Sequence, residues 1–164
     1  MISIRRLEDA DLLPVLQLFN DIVANLDALR TEAPVSLSDF REKIEAQTAA
    51  FIAETRGLVA GAYWFAPFSY GRASHIANAT YVVLRSEQGR GIGRKLGEHS
   101  LLEVRRHGFR AIQFDGVVVE NRASVRLWQQ LGFSIVGTIP EGYRKHDGAF
   151  SDVYIMYRDL KDGA

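Results

Sequence analysis

The segment Gln88-Gly89-Arg90-Gly91-Ile92-Gly93-Arg94-Lys95-Leu96 follows the apolar run Tyr81-Val82-Val83-Leu84 and has the composition of a phosphate-binding turn. Its glycines fall at every second position, so Cβ is missing where an extended strand must bend into a helix. Backbone N–H groups can approach an anion closely there, at the positive end of the helix dipole. Arg90, Arg94 and Lys95 suit the same anion. A glycine-rich turn ahead of an ordinary helix would look similar, so the spacing has to decide.

It matches neither of the common nucleotide loops. In G-x-G-x-x-G the third glycine would fall on Arg94 or Leu96, and no Gly-Lys pair precedes a Ser or Thr anywhere in the chain. What remains is Q-x-x-G-x-G, on Gln88, Gly91 and Gly93.

The elements that must position this turn read as a mixed order of strands and helices. Ile2 to Leu7 alternates as a strand does, and Asp9 or Asp11 is suited to cap a helix carrying Leu12, Leu13, Val15, Leu16, Leu18 and Phe19. Residues 20 to 48, broken at Pro34, suit one or two helices that line a substrate entrance or simply cover the sheet. Ala50–Glu54 and Leu58–Phe65 read as a hairpin around Thr55-Arg56-Gly57, and His75–Leu84 is the strand that feeds the glycine turn. A helix from about Gly91 to Arg106, closed at Gly108, leads to Ala111–Val119, a buried parallel strand in a βαβ unit. In the next segment Ser124, Leu127, Trp128 and Leu131 share one helical face, with Asn121 as N-cap and Gly132 as stop. Phe133–Gly137 and Val153–Tyr157 are the last strands, joined through Gly142 to Gly148.

This second helix carries a further motif: Asn121, Ser124, Leu127-Trp128, then Gly132-Phe133. Together with Gln88, Gly91 and Gly93, one βα unit earlier, it resembles the GNAT superfamily of N-acetyltransferases over most of the chain from Ala50 onward. The resemblance implies a single α/β domain over residues 1–164, α+β in some schemes, with a mixed sheet of about six or seven strands and helices on both faces. It implies acetyl-CoA as co-substrate and direct acetyl transfer to an amine through a tetrahedral intermediate, mostly by proximity. By motif match the pyrophosphate falls on Gln88, Gly89, Arg90, Gly91, Ile92, Gly93 and Arg94, and the pantetheine arm on Asn121 and Ser124. Backbone groups of Val82, Val83 and Leu84 would meet the pantetheine and the thioester oxygen, where one N–H donor is worth roughly 3 to 4 kcal/mol in other acyl transfers.

Proton handling departs from the commonest pattern of the family, which has Tyr where Trp128 stands. An indole N–H does not protonate a leaving thiolate, so Trp128 is a wall of the acyl pocket or plain core, and Tyr143 or water is the substitute acid. A thiol of pKa about 8.5 also leaves unaided. An alkylamine, of pKa about 10.4, needs a base. His75 could serve through water or be structural, whereas Asn78 can only orient the acceptor. His75-Ile76-Ala77-Asn78-Ala79, with Gln113-Phe114-Asp115, resembles a subgroup related to the fungal azetidine-2-carboxylate and proline-analogue acetyltransferases. There two Asn residues face the substrate; Asn78 matches one, and Asp115 replaces the other. Asp115 would favour a cationic amine, or else sit in solvent or an ion pair.

Composition limits the alternatives. Twenty basic side chains balance twenty acidic ones, so no global field draws the chain to nucleic acid or an anionic membrane. The absence of cysteine excludes disulfides and thiolate chemistry. The charged start Met1–Asp9 and the lack of a long apolar run point to a cytoplasmic protein, which makes the sequon Asn78-Ala79-Thr80 irrelevant. The acceptor is expected to be a small-molecule amine, no metal is called for, and a homodimer stays open. A non-catalytic acyl-CoA-binding sensor or interaction module of the same fold is the alternative. Gly91→Glu or Gly93→Glu, which adds bulk and negative charge at the phosphate seat, should abolish acetyl-CoA binding in calorimetric titration while circular dichroism remains that of a folded chain. Unchanged affinity would overturn the assignment of the loop.

Overall fold

Strands buried on both faces must divide their side chains between two cores, and this division sets the layers of the molecule. The structure, a computed structural model, describes residues 1–161. In β2 (Ala49–Thr55) and β3 (Leu58–Pro67), Phe51, Ala53, Tyr63 and Phe65 enter one core, and Ile52, Ala62 and Trp64 the other. The two strands form the expected hairpin, with Arg56 (φ 52°) and Gly57 (φ 75°) at its turn. α1 (Leu12–Asn25) and α2 (Leu37–Glu45) cover the Ile52/Trp64 core; α3 (Ile92–Arg106) and α4 (Arg122–Gln130) cover the other. No helix among the described residues is long and apolar enough to cross a membrane.

The seven-stranded sheet has the order β1-β2-β3-β4-β5-β7-β6, with β1 at Ile2–Arg6, β4 at Ile76–Val83, β5 at Ala111–Val118, β6 at Ser134–Arg144 and β7 at Phe150–Asp159. All neighbours are antiparallel except β4 and β5. That parallel pair is joined only at Ile76↔Ala111 and Ala77↔Ile112, after which the strands part. A bulge between Phe114 and Val117, where β5 carries one residue more than β7, accompanies the parting.

Two sequence expectations need correction. Asp11 stands at the N-cap of α1, yet its carboxylate does not cap the helix. It accepts from Arg5 (2.7 and 3.0 Å) and from the Glu8 N–H (2.8 Å), and the Arg5 hydrogen bonds hold it below the usual carboxylate range. The last two strands are longer than their apolar runs, and Gly142 lies inside β6 rather than in the connection, which spans residues 145–149. A register shift between Ile139 and Tyr143, with Glu141 at φ 52°, lets β6 continue past Gly142. Residues 20–48 resolve into the end of α1, a non-helical stretch 26–36 containing Pro34, and α2, capped by Ser36 Oγ accepting from the Asp39 N–H (3.1 Å).

That stretch is tied down by the β6–β7 turn. Tyr143 OH donates to the Leu29 carbonyl (3.0 Å), and Arg144 pairs with Glu32. His146 makes three contacts: its N–H and Nδ1 meet Asp27 Oδ1 (2.9 and 2.6 Å), and its Nε2 meets the Val23 carbonyl (3.0 Å). Only the imidazolium can donate from both ring nitrogens. The Asp27 hydrogen bond accordingly raises the His146 pKa above its ordinary value. Burial tends to raise Asp27, but the hydrogen bonds from His146 outweigh it and leave the carboxyl below its usual range.

A raised imidazole contributes stability in full below its unfolded value of about 6.5 and loses it as pH climbs through the folded value; the lowered Asp27 loses its share as pH falls below the carboxylate range, about 4. His146→Ala should therefore lower the thermal midpoint relative to wild type at pH 5.5, and the gap should close by pH 9. Equal gaps at both pH values would mean that the neutral ring carries the contact.

Candidate active site

β4 runs into the glycine turn at Val83, and the direction of its backbone groups follows from three contacts. Leu84 N–H donates to Ala60 O (2.8 Å), Ile76 O accepts from Phe68 N–H (2.8 Å), and Val82 O lies 2.9 Å from where a Cβ on Gly61 would stand. Even-numbered residues of β4 thus direct their backbone groups toward β3. His75 O, accepting from Arg110 N–H (2.8 Å), has the opposite sense. Strand periodicity then turns the backbone groups of Tyr81 and Val83 to the edge that β5 has left. Val82 and Leu84, expected to offer free backbone groups, spend them on β3; of the three residues singled out, Val83 faces the gap.

The turn itself is open. Gly89 (φ 77°) and Gly91 (φ 82°) adopt left-handed backbone, and a Cβ on either would meet nothing within 4 Å. Gly91 is the N-cap of α3 and supplies no side chain, so the first N–H groups of the helix have no cap, unlike those of α2 and α4. A seat lined by uncapped N–H groups fits an anionic pyrophosphate. Arg94 lines it while pairing with Glu98 (2.9 Å). Arg90 pairs with Glu87 (3.4 Å) and lines a smaller recess with Arg56; Lys95 is exposed and lines neither.

From this seat a cavity of about 630 Å³ passes through the β4–β5 gap. On the α3/α4 side it is walled by Phe114, Leu127 and Trp128; on the α1/α2 side by Asn78 and Thr80 of β4 with Phe19 and Ile22 of α1 and Leu29 beyond it. Asn78, Val83, Gln88, Gly89, Gly91, Ile92, Gly93, Arg94, Asp115, Asn121 and Ser124, all singled out from the sequence, line it along with Leu127 and Trp128. His75, exposed just before β4, does not, nor do Val82, Leu84, Arg90 and Tyr143.

Local chemistry narrows what the lining can do. Asn121 Oδ1 caps α4 by accepting from the Ser124 N–H (3.3 Å), leaving its amide nitrogen for a ligand. Ser124 Oγ accepts from Trp128 Nε1 (3.1 Å), so the indole is satisfied within the protein. Trp128 packs at 4.5 Å from the Tyr81 ring and 4.7 Å from Phe114, and is both core and cavity wall. Tyr81 OH donates to Ser100 Oγ (2.7 Å), which donates to Gly97 O (2.7 Å); burial pushes the phenol far up. Tyr143, the proposed acid, is committed to Leu29 O, and burial raises its pKa as well. Asp115 is held by Arg30 through its carboxylate (3.0 Å) and its carbonyl (2.9 Å). Gly116 makes room for that clamp, since a Cβ there would stand 2.9 Å from Arg30 Nη2. The ion pair, one of the readings left open for Asp115, is what the fold contains. Arg30 and Lys43 line the cavity without any sequence motif marking them.

Comparison with known proteins agrees with this geometry. Residues 16–133 match the acetyltransferase (GNAT) family. Over 97 residues, 58% of this chain, the sequence is 38% identical to an N-acetyltransferase of Schizosaccharomyces pombe, and the match spans 46% of that protein. The L-amino acid N-acyltransferase of Escherichia coli (strain K12) is 28% identical over 98% of this chain and 95% of its own length. A solved structure from Salmonella typhimurium, with its cofactor acetyl-CoA, superposes with a TM-score of 0.91 at 26% identity, covering 99% of this chain and 96% of that one. Its loop, its parted strands and its sequence place the chain in one family: it belongs to the GNAT acetyltransferases, which use acetyl-CoA.

Proposed function

We propose that this N-acetyltransferase acetylates a small-molecule amine of the amino-acid class. The observation that carries the reading is a single cavity joining two unlike surfaces through the sheet: an uncapped helix start on one side and an Asn78/Thr80 pocket with apolar walls on the other. The name of the Escherichia coli relative supports the acceptor class. The membership of all seven strands in one sheet supports reading residues 1–164 as one acetyltransferase domain. Balanced charge supports an enzyme without nucleic-acid or membrane partners, and exposed Val136 and Ile139 on the edge strand β6, with Phe150 at the start of β7, support a homodimer.

Acetyl-CoA, when bound, supplies an acetyl group already activated toward an amine. Gly89, Gly91, Ile92, Gly93 and Arg94, with Gln88, would hold its pyrophosphate through backbone N–H groups and one guanidinium. The open-edge backbone of Val83 and Tyr81 and the Asn121 amide are the donors for its arm and carbonyl. Trp128 and Phe114 keep water from that side of the gap. Asn78 orients the acceptor. The carboxylates that line the cavity, Glu87 and Asp115, are both in ion pairs, so the amine sheds its proton to water rather than to a side chain.

The test is an acetyl-transfer assay with acetyl-CoA against amino acids, polyamines and aminoglycosides. Acetylated amino acids are expected; acetyl-CoA binding with no product across the panel would overturn the reading in favour of a binding module. Asn78→Ala should raise the acceptor KM about tenfold or more and leave the acetyl-CoA Kd within about twofold. Matching losses in both would make Asn78 structural.

A further inference from the structure

The charges that line the cavity do not cancel, and the residue left over lies on the acceptor side. Three cations line it, Arg30, Lys43 and Arg94, and two carboxylates, Glu87 and Asp115. Arg30 is paired with Asp115 (3.0 Å), Arg94 with Glu98 (2.9 Å), and Glu87 with Arg56 (3.1 Å) and Arg90 (3.4 Å). Among the described residues Lys43 has no carboxylate within ion-pair distance.

Its position in the fold separates it from the phosphate seat. Lys43 lies one turn beyond Phe40 on α2. Phe40 packs against Phe19 (5.5 Å) and Trp64 (5.8 Å), and Trp64 is the β3 partner of Thr80. The ammonium group is therefore carried by the helical layer that covers the Asn78/Thr80 wall, whereas the glycine turn opens at α3, in the layer on the opposite face.

Resting on the acceptor reading above, we infer that Lys43 is the counter-charge for the carboxylate of the acceptor and the residue by which the enzyme selects amino acids over amines that lack an acid group. Asp115 is a poor lure for a cationic acceptor, because the Arg30 guanidinium pairs with its carboxylate and is held in place by its carbonyl. An acceptor entering beside Phe19, Ile22 and Leu29 meets apolar surface for its side chain, an amide for its amine and one uncompensated positive charge for its acid. A second cationic group on the acceptor would be repelled by the same charge.

The experiment compares an L-amino acid of apolar side chain with its carboxamide, in steady-state assays of wild type, Lys43→Met and Lys43→Arg. Lys43→Met should raise KM for the acid about tenfold with kcat within about twofold. The carboxamide KM and the acetyl-CoA Kd should stay within about twofold of wild type, and Lys43→Arg should restore most of the loss. Equal changes for acid and carboxamide, or no change for either, would overturn the role of Lys43 while leaving the acceptor class standing. Wild-type enzyme that acetylates neither compound would overturn the acceptor class and the role of Lys43 together.

Discussion

Everything that makes a site in this protein depends on β4 and β5 ceasing to pair. After Ile76↔Ala111 and Ala77↔Ile112 the two strands separate, which leaves an interior strand edge with backbone groups and no ladder partner. Such groups are costly to bury unless a ligand or water satisfies them, so an unpaired edge inside a sheet is a binding surface. The bulge at Asp115-Gly116 accompanies the separation, and the aromatic packing of Trp128 with Tyr81 and Phe114 walls one side of it. In the proposed reaction this gap is where donor and acceptor would meet from the two faces of the sheet.

Charge is distributed around that gap with little left uncompensated. Glu87 would oppose a pyrophosphate were it not held by Arg56 and Arg90, and Asp115 would attract a cation were it not held by Arg30. The donors left free to meet a phosphate there are mostly backbone N–H groups at the start of α3, which add no net charge and need no rotamer ordered. This agrees with a chain whose basic and acidic residues balance: the anion site is local, made by helix geometry rather than by a basic surface.

The α1/α2 side of the cavity is held by contacts distant in sequence. Residues 26–36 form no helix, and their position depends on the β6–β7 turn through Tyr143, Arg144 and His146 and on β5 through Arg30 and Asp115. Tyr143 belongs to this tie, so its hydroxyl serves the shape of the pocket. Trp128 likewise satisfies its indole on Ser124 and contributes packing. With both hydroxyl and indole committed inside the protein, neither is free to donate a proton into the cavity.

By itself the sequence determined the helix start and its glycines, the cap at Asn121 and the stop at Gly132, the β2–β3 hairpin and the βαβ unit. These are short-range features, set by Cβ sterics, capping chemistry and periodicity within one element or between elements adjacent in the chain. The strand ends were less legible, because β6 continues through a bulge that no apolar pattern marks. Tertiary structure alone decided that Val83 rather than Val82 or Leu84 faces the gap, since that depends on which edge of β4 is occupied by β3. It also removed His75 from the cavity, neutralised Asp115 with a residue 85 positions away and brought Lys43 to the lining. Those outcomes rest on pairings between elements far apart in the chain, whose geometry is fixed only when the two cores close on the sheet.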